Sequence, residues 1–178
     1  MNALRAYIRV VDRVNRRIGR IVMYGIFVLM GILLWSSVSK AAFVPSLWTL
    51  EMAQFAMVAY YVLGGPYAIQ MGSNVRMDLF YGDWSDRRKA QIDAITVLFL
   101  VAYLGFLLWG GWDSLMYAFQ YGGERSPSAW RPYMWPIKTV MVVGLALMLL
   151  QALSELAKDV LRLRGEAVPV TTPPEETA

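Results

Sequence analysis

Residues 21–38, IVMYGIFVLMGILLWSSV, run for 18 positions without a charge, and Gly, Ser and Tyr are their only polar interruptions. As an α-helix this stretch rises about 27 Å at roughly 1.5 Å per residue, close to the about 30 Å hydrocarbon core of a bilayer. Three further apolar stretches begin near Phe55, Ile95 and Thr139. The second has an apolar core only from Phe55 to Ile69. It reaches spanning length by extending back through Trp48, which brings Glu51 and Gln54 into its first turns. The third runs from about Ile92 to Trp112 and the fourth from about Trp135 to Leu156. With 57% of residues hydrophobic and 17% charged, the composition exceeds what a water-soluble core needs. The reading is an all-α polytopic membrane protein: one four-helix transmembrane domain, residues 1–162, with spans at about 18–39, 48–71, 92–112 and 135–156. A signal peptide is the competing reading of the first stretch. That stretch is long for such a segment, begins late, and has no small-x-small cleavage site before the next span.

Charge sets the expected orientation. Arg5, Arg9, Arg13, Arg16, Arg17 and Arg20 precede the first span, and Arg76, Arg87, Arg88 and Lys89 lie between the second and third. Lys158, Arg162 and Arg164 follow the fourth. Lys40, Arg125, Arg131 and Lys138 fall on the other side, which leaves thirteen basic residues against four. Loops rich in Lys and Arg stay in the cytoplasm, so both termini are expected there, in agreement with an even number of spans. The net charge of +4 is then accounted for by anionic headgroups, with no need for nucleic acid as a partner. The chain has no cysteine and no histidine. This removes thiolate and imidazole metal sites, bis-histidine haem and imidazole proton relays, and no cofactor is expected in the chain.

Between the spans the sequence is punctuated in readable ways. Leu4, Ile8, Val11 and Val14 recur about one helical turn apart, with Arg5, Arg9, Asp12, Arg13 and Arg16 between them. This predicts an amphipathic surface helix over about 4–17, turning into the first span at Gly19. Ser46 or Thr49 is placed to cap the second helix, and Trp48 suits the headgroup level. Gly64 and Gly65 permit close packing, and Pro66 predicts a kink near Tyr61–Val62. Ser85 is a candidate N-cap for the third span. Tyr117, Phe119, Tyr121, Trp130, Tyr133 and Trp135 form an interfacial belt around the last outside connection, and Pro136 fits the first turn of the fourth helix. Glu155 and Lys158 have a favourable helical spacing. The segment 163–178 is proline-rich, poor in apolar residues, and predicted to be a disordered cytoplasmic tail.

Three places together resemble the small, DctQ-like membrane subunit of tripartite ATP-independent periplasmic (TRAP) transporters. Trp48-x-x-Glu51 opens the second helix, with Gly64 and Gly65 further along it. Gly72-x-Asn74-Val75-Arg76-x-Asp78 lies at its exit, similar to the family's Gly-x-His-Val-x-x-Asp. Gly123-Glu124-Arg125-Ser126 and Trp130-x-Pro132 lead through Trp135-Pro136-Ile137-Lys138 to Leu150-Gln151. The likeness covers roughly residues 8–162. Asn74 replaces the family's usual histidine and cannot titrate near neutrality, so no proton-coupling role carries over. Pro66 adds a bend that the pattern does not require.

The resemblance implies an inner-membrane scaffold for a larger polytopic subunit that holds the substrate and sodium sites. It also implies a periplasmic solute-binding protein that delivers an organic acid, with uptake driven by the sodium gradient. The residues agree with a scaffold, since no charge lies in the middle of any span and intramembrane charge marks most ion pathways. Glu51, Glu124, Arg125 and Arg131 are the candidates for contact with the binding protein. Trp48, Trp130 and Trp135 suit the interface, Gly64 and Gly65 helix packing, and Asn74, Arg76 and Asp78 the inner helix exit. Basic residues near the inner face are expected to contact anionic lipid. An autonomous oligomeric transporter or exporter is the alternative, with Glu51 as its polar path. A membrane enzyme lacks the cluster of titratable groups that it would require.

Overall fold

In a computed structural model of the chain, residues 2–72, 86–120 and 123–163 are described. Asn74, Arg76, Asp78, Ser85 and the tail from residue 164 lie outside them. The described residues form helices α1 (Asn2–Met23), α2 (Gly25–Ala42), α3 (Thr49–Gln70), α4 (Asp86–Gln120) and α5 (Trp135–Leu163). Three stretches are long and apolar enough to cross a membrane: Leu4–Ala42, Ile95–Gln120 and Trp135–Leu161. Helix α3 is long enough at 22 residues, but Glu51, Gln54, Gly64, Gly65, Pro66 and Gln70 dilute its hydropathy.

Gly19 does not end a helix; it is an interior residue of α1. The interruption comes at Tyr24, which keeps a right-handed helical backbone (φ −73°, ψ −11°). The ladder there tightens to three-residue steps, with the Tyr24 N–H donating to the Ile21 carbonyl and Phe27 N–H to Tyr24. Beyond the α1 midpoint the chain runs antiparallel to α3 in one continuous register. Gly19 faces Tyr67, Val22 faces Gly64, Gly25 faces Tyr60, and Thr49 Oγ1 donates to Ser36 Oγ at 3.1 Å. The N-terminal half of α1 instead crosses α5. Its Tyr7, Asp12 and Asn15 all bond within residues 150–158 of α5, in an order that does not advance along it.

Helices α4 and α5 make the apolar centre. Leu104, Leu145 and Ala152 are buried together, with Leu100, Val101, Leu108, Met141, Met148 and Leu149 packed around them. Leu104, Leu108, Gly111, Leu115 and Ala118 recur every three or four residues, so a single face of α4 turns inward. Helix α3 packs on α5 through Gly144, where a Cβ would stand 3.0 Å from the Val62 carbonyl oxygen. That carbonyl is the one Pro66, lying one turn on, has no N–H to bond. Proline and the facing glycine are therefore one feature: the carbonyl that Pro66 cannot bond meets a backbone stripped of its side chain.

Candidate partner-binding surface

The two ends of the bundle use their polar groups differently. At the α1 end, Asp12 has no exposed surface and pairs with Lys158 Nζ at 2.8 Å. Its other oxygen accepts from Gln151 Nε2 at 3.0 Å and Ser154 Oγ at 3.1 Å. Asn15 donates to Gln151 Oε1 at 2.7 Å, and Glu155 accepts from both Gln151 and Lys158. A buried carboxylate is tolerable only with such a set of charged and neutral donors. The periodicity Leu4, Ile8, Val11, Val14 therefore misplaces the buried face of α1. Val10 and Val14 are exposed while Asp12 and Asn15 join Ile8 and Val11 inside. A visible signal existed in α5, where Gln151, Ser154 and Lys158 share one helical face.

At the opposite end the chain relies on hydroxyls. Ser46 and Thr49 do not cap α3; Trp48 occupies the N-cap position without a side-chain capping bond. The two hydroxyls instead link with Ser36 and Ser39, through Ser39–Ser46 and Thr49–Ser36 contacts of 3.1 Å. Glu51 accepts from Ser126 Oγ at 2.9 Å, which ties α3 to the last connection, and its second oxygen is buried with no partner among the described residues. Glu124 is held by Lys138, which also donates to the Ser114 carbonyl at 3.3 Å. Arg125 lies 4.4 Å over the Tyr133 ring and donates to its hydroxyl, while their backbones form an antiparallel bridge. Glu124 and Arg125 are thus brought together but engaged within the loop. Trp48, Trp130 and Trp135 are exposed, and so is Arg131, which adopts φ 51°. The Trp135 ring sits 5.9 Å from Phe119.

Gly64 and Gly65, expected at a close helix contact, meet only side chains. A Cβ on Gly65 would overlap the flexible end of Met148, and one on Gly64 would stand 3.9 Å from Val22. The tight approaches are at Gly144 and at Gly19, where a Cβ would overlap Tyr67 Cβ. Gly144 lies outside any motif, and the sequence marks Gly19 as a turn and not as a close contact.

The long sides are apolar and uncovered. Phe27, Leu34 and Trp35 on α2 are exposed, as are Phe99, Tyr103, Phe106 and Trp109 on α4. In water such faces would aggregate; a membrane or a partner must cover them. No group of three or more His, Cys, Asp or Glu residues among the described residues is arranged to hold a metal. Apolar flanks with polar groups gathered at both ends define a multi-spanning helical membrane protein. Residues 29–162 match the family of tripartite ATP-independent periplasmic transporters, DctQ component, and the chain belongs to that family. It is accordingly a small subunit of a TRAP-type transporter and not an enzyme. A comparison with curated proteins gives no match.

Proposed function

We propose that this chain is the fixed scaffold of a sodium-driven, binding-protein-dependent transporter for an organic acid in the bacterial inner membrane. It crosses the membrane four times, with α3 as the least apolar span and both termini in the cytoplasm. It lies against a larger subunit that carries substrate and sodium. The observation that carries this reading is the separation of polar and apolar surface. The polar groups bonded between helices sit at the bundle's ends and are used within the chain, whereas the exposed flanks of α2 and α4 are aromatic and aliphatic. Such a body has surface to give a partner and, among the described residues, no charged group in the middle of a span.

In this topology the loop end faces the periplasm, where Trp48, Trp130, Arg131 and Trp135 are the exposed groups available to a docking protein. Glu124 and Arg125 shape that surface through Lys138 and Tyr133. The test is recovery of the tagged chain from native membranes in mild detergent, with mass identification of everything retained. A large polytopic protein in fixed ratio is expected. Recovery of this chain alone, folded and oligomeric, contradicts the scaffold role and favours an autonomous transporter.

A further inference from the structure

A groove of about 590 Å³ opens between the end of α1 and α3, lined by Gly19, Met23, Tyr60, Tyr61, Gly64 and Tyr67 among others. Its walls are almost wholly apolar, and its rim residues Met23, Tyr61 and Met71 are exposed. From Tyr60 to Met71 helix α3 rises about 16 Å at roughly 1.5 Å per residue, which matches the about 15 Å hydrocarbon depth of one leaflet. Gly64 leaves open space on the α3 wall, whereas Gly19 on α1 is in close contact with Tyr67.

Just beyond the groove's lining, the same two helices carry polar groups. The antiparallel register that sets Val22 against Gly64 and Gly19 against Tyr67 sets Arg16 against Gln70. Arg16 Nη2 and both amide atoms of Gln70 are buried from water with no hydrogen-bond partner among the described residues. A guanidinium nitrogen and an amide at the same level of two neighbouring helices, each with unsatisfied atoms, are suited to phosphate oxygens. Arg20 lies one turn from Arg16 on the same side of α1 and adds positive charge.

We infer that this groove binds one anionic phospholipid, with an acyl chain along Gly64 and Tyr67 and the phosphate at Arg16 and Gln70. The site lies in the leaflet on the side where Arg and Lys are concentrated. Basic pockets between membrane helices on that side take anionic headgroups. The lipid would fasten α1 to α3 where no side-chain hydrogen bond between these two helices is found among the described residues. The inference rests on the membrane-spanning reading and is independent of the transport partner.

The experiment is native mass spectrometry of the full purified chain, titrated with dioleoylphosphatidylglycerol and, separately, dioleoylphosphatidylcholine. The wild-type chain is expected to retain a single phosphatidylglycerol in preference to phosphatidylcholine. Arg16→Gln should weaken retention about fivefold or more, as loss of one basic contact to anionic lipid implies. Arg16→Lys should keep most of it, and Arg13→Gln, an exposed arginine on the same helix, should leave it unchanged. Gly64→Leu should displace the lipid by filling the groove; if that variant does not fold, the Arg16 and Arg13 pair decides alone. Equal losses for Arg13→Gln and Arg16→Gln would mean diffuse attraction and overturn the site. So would a folded Gly64→Leu variant that still holds the lipid, or one that holds it while losing a co-purifying protein.

Discussion

The α1 end and the loop end of the bundle solve the same problem with different chemistry. Both must join helices distant in sequence at a level where polar groups meet the membrane boundary. The α1 end does so with full charges taken out of water, Asp12 and Lys158, backed by Gln151, Ser154, Asn15 and Glu155. The loop end uses neutral hydroxyls from Ser36, Ser39, Ser46 and Thr49, plus two separate carboxylate contacts at Glu51 and Glu124. The difference is one of interdependence. Each hydroxyl at the loop end has another hydroxyl or a carbonyl to turn to, whereas Asp12 has its partners fixed around it. Loss of one partner should therefore be severe at the α1 end and mild at the loop end.

Substitutions can break that contrast, beginning with the largest effect. Lys158→Met leaves Asp12 charged, buried and short of its cation, which should cost about 3–5 kcal/mol. Thermal unfolding in detergent should show a large drop, and Asp12→Leu combined with Lys158→Met should recover most of it. If the single variant melts like the wild type, the pair is not interior to the folded protein. Gly144→Ala comes next, at about 1–3 kcal/mol, because the added methyl overlaps the Val62 side chain and presses on the Val62 backbone carbonyl behind it. Gly105→Ala, with nothing near its added methyl, should instead stabilise by up to about 1 kcal/mol through helix propensity. At the loop end, Ser126→Ala should cost only about 0.5–1.5 kcal/mol, the usual net value of one hydrogen bond. A loss at Ser126 as large as that at Lys158 would erase the distinction between the ends.

The helices and their apolar runs were readable from residue order, because period and hydropathy are local properties. Helix α5 begins at Trp135, and the Glu155–Lys158 pair forms at 2.7 Å. The α1 face was misread for a physical reason: counting apolar residues puts Asp12 and Asn15 outside, since their partners lie about 140 residues further along the chain. Gly144 was hidden in the same way. Its neighbour is a carbonyl made available by Pro66 on another helix, a relation that no single-helix pattern contains. The end caps show a related limit. Ser46 and Thr49 are good capping residues, yet Ser36 and Ser39 across the helix pair compete for the same hydroxyls. At the loop end, Glu124 and Arg125 were expected to meet a docked partner; within the chain Glu124 is held by Lys138 and Arg125 by Tyr133.

On the proposed function, this chain supports transport without containing the path. Reconstituted vesicles with an imposed sodium gradient test it most directly, comparing labelled organic-acid uptake in three preparations. These are the chain alone, its large subunit with the binding protein but without the chain, and all three together. Uptake is predicted only when all three are present, with none from the chain alone. Sodium-driven uptake by vesicles holding only this chain would contradict the account.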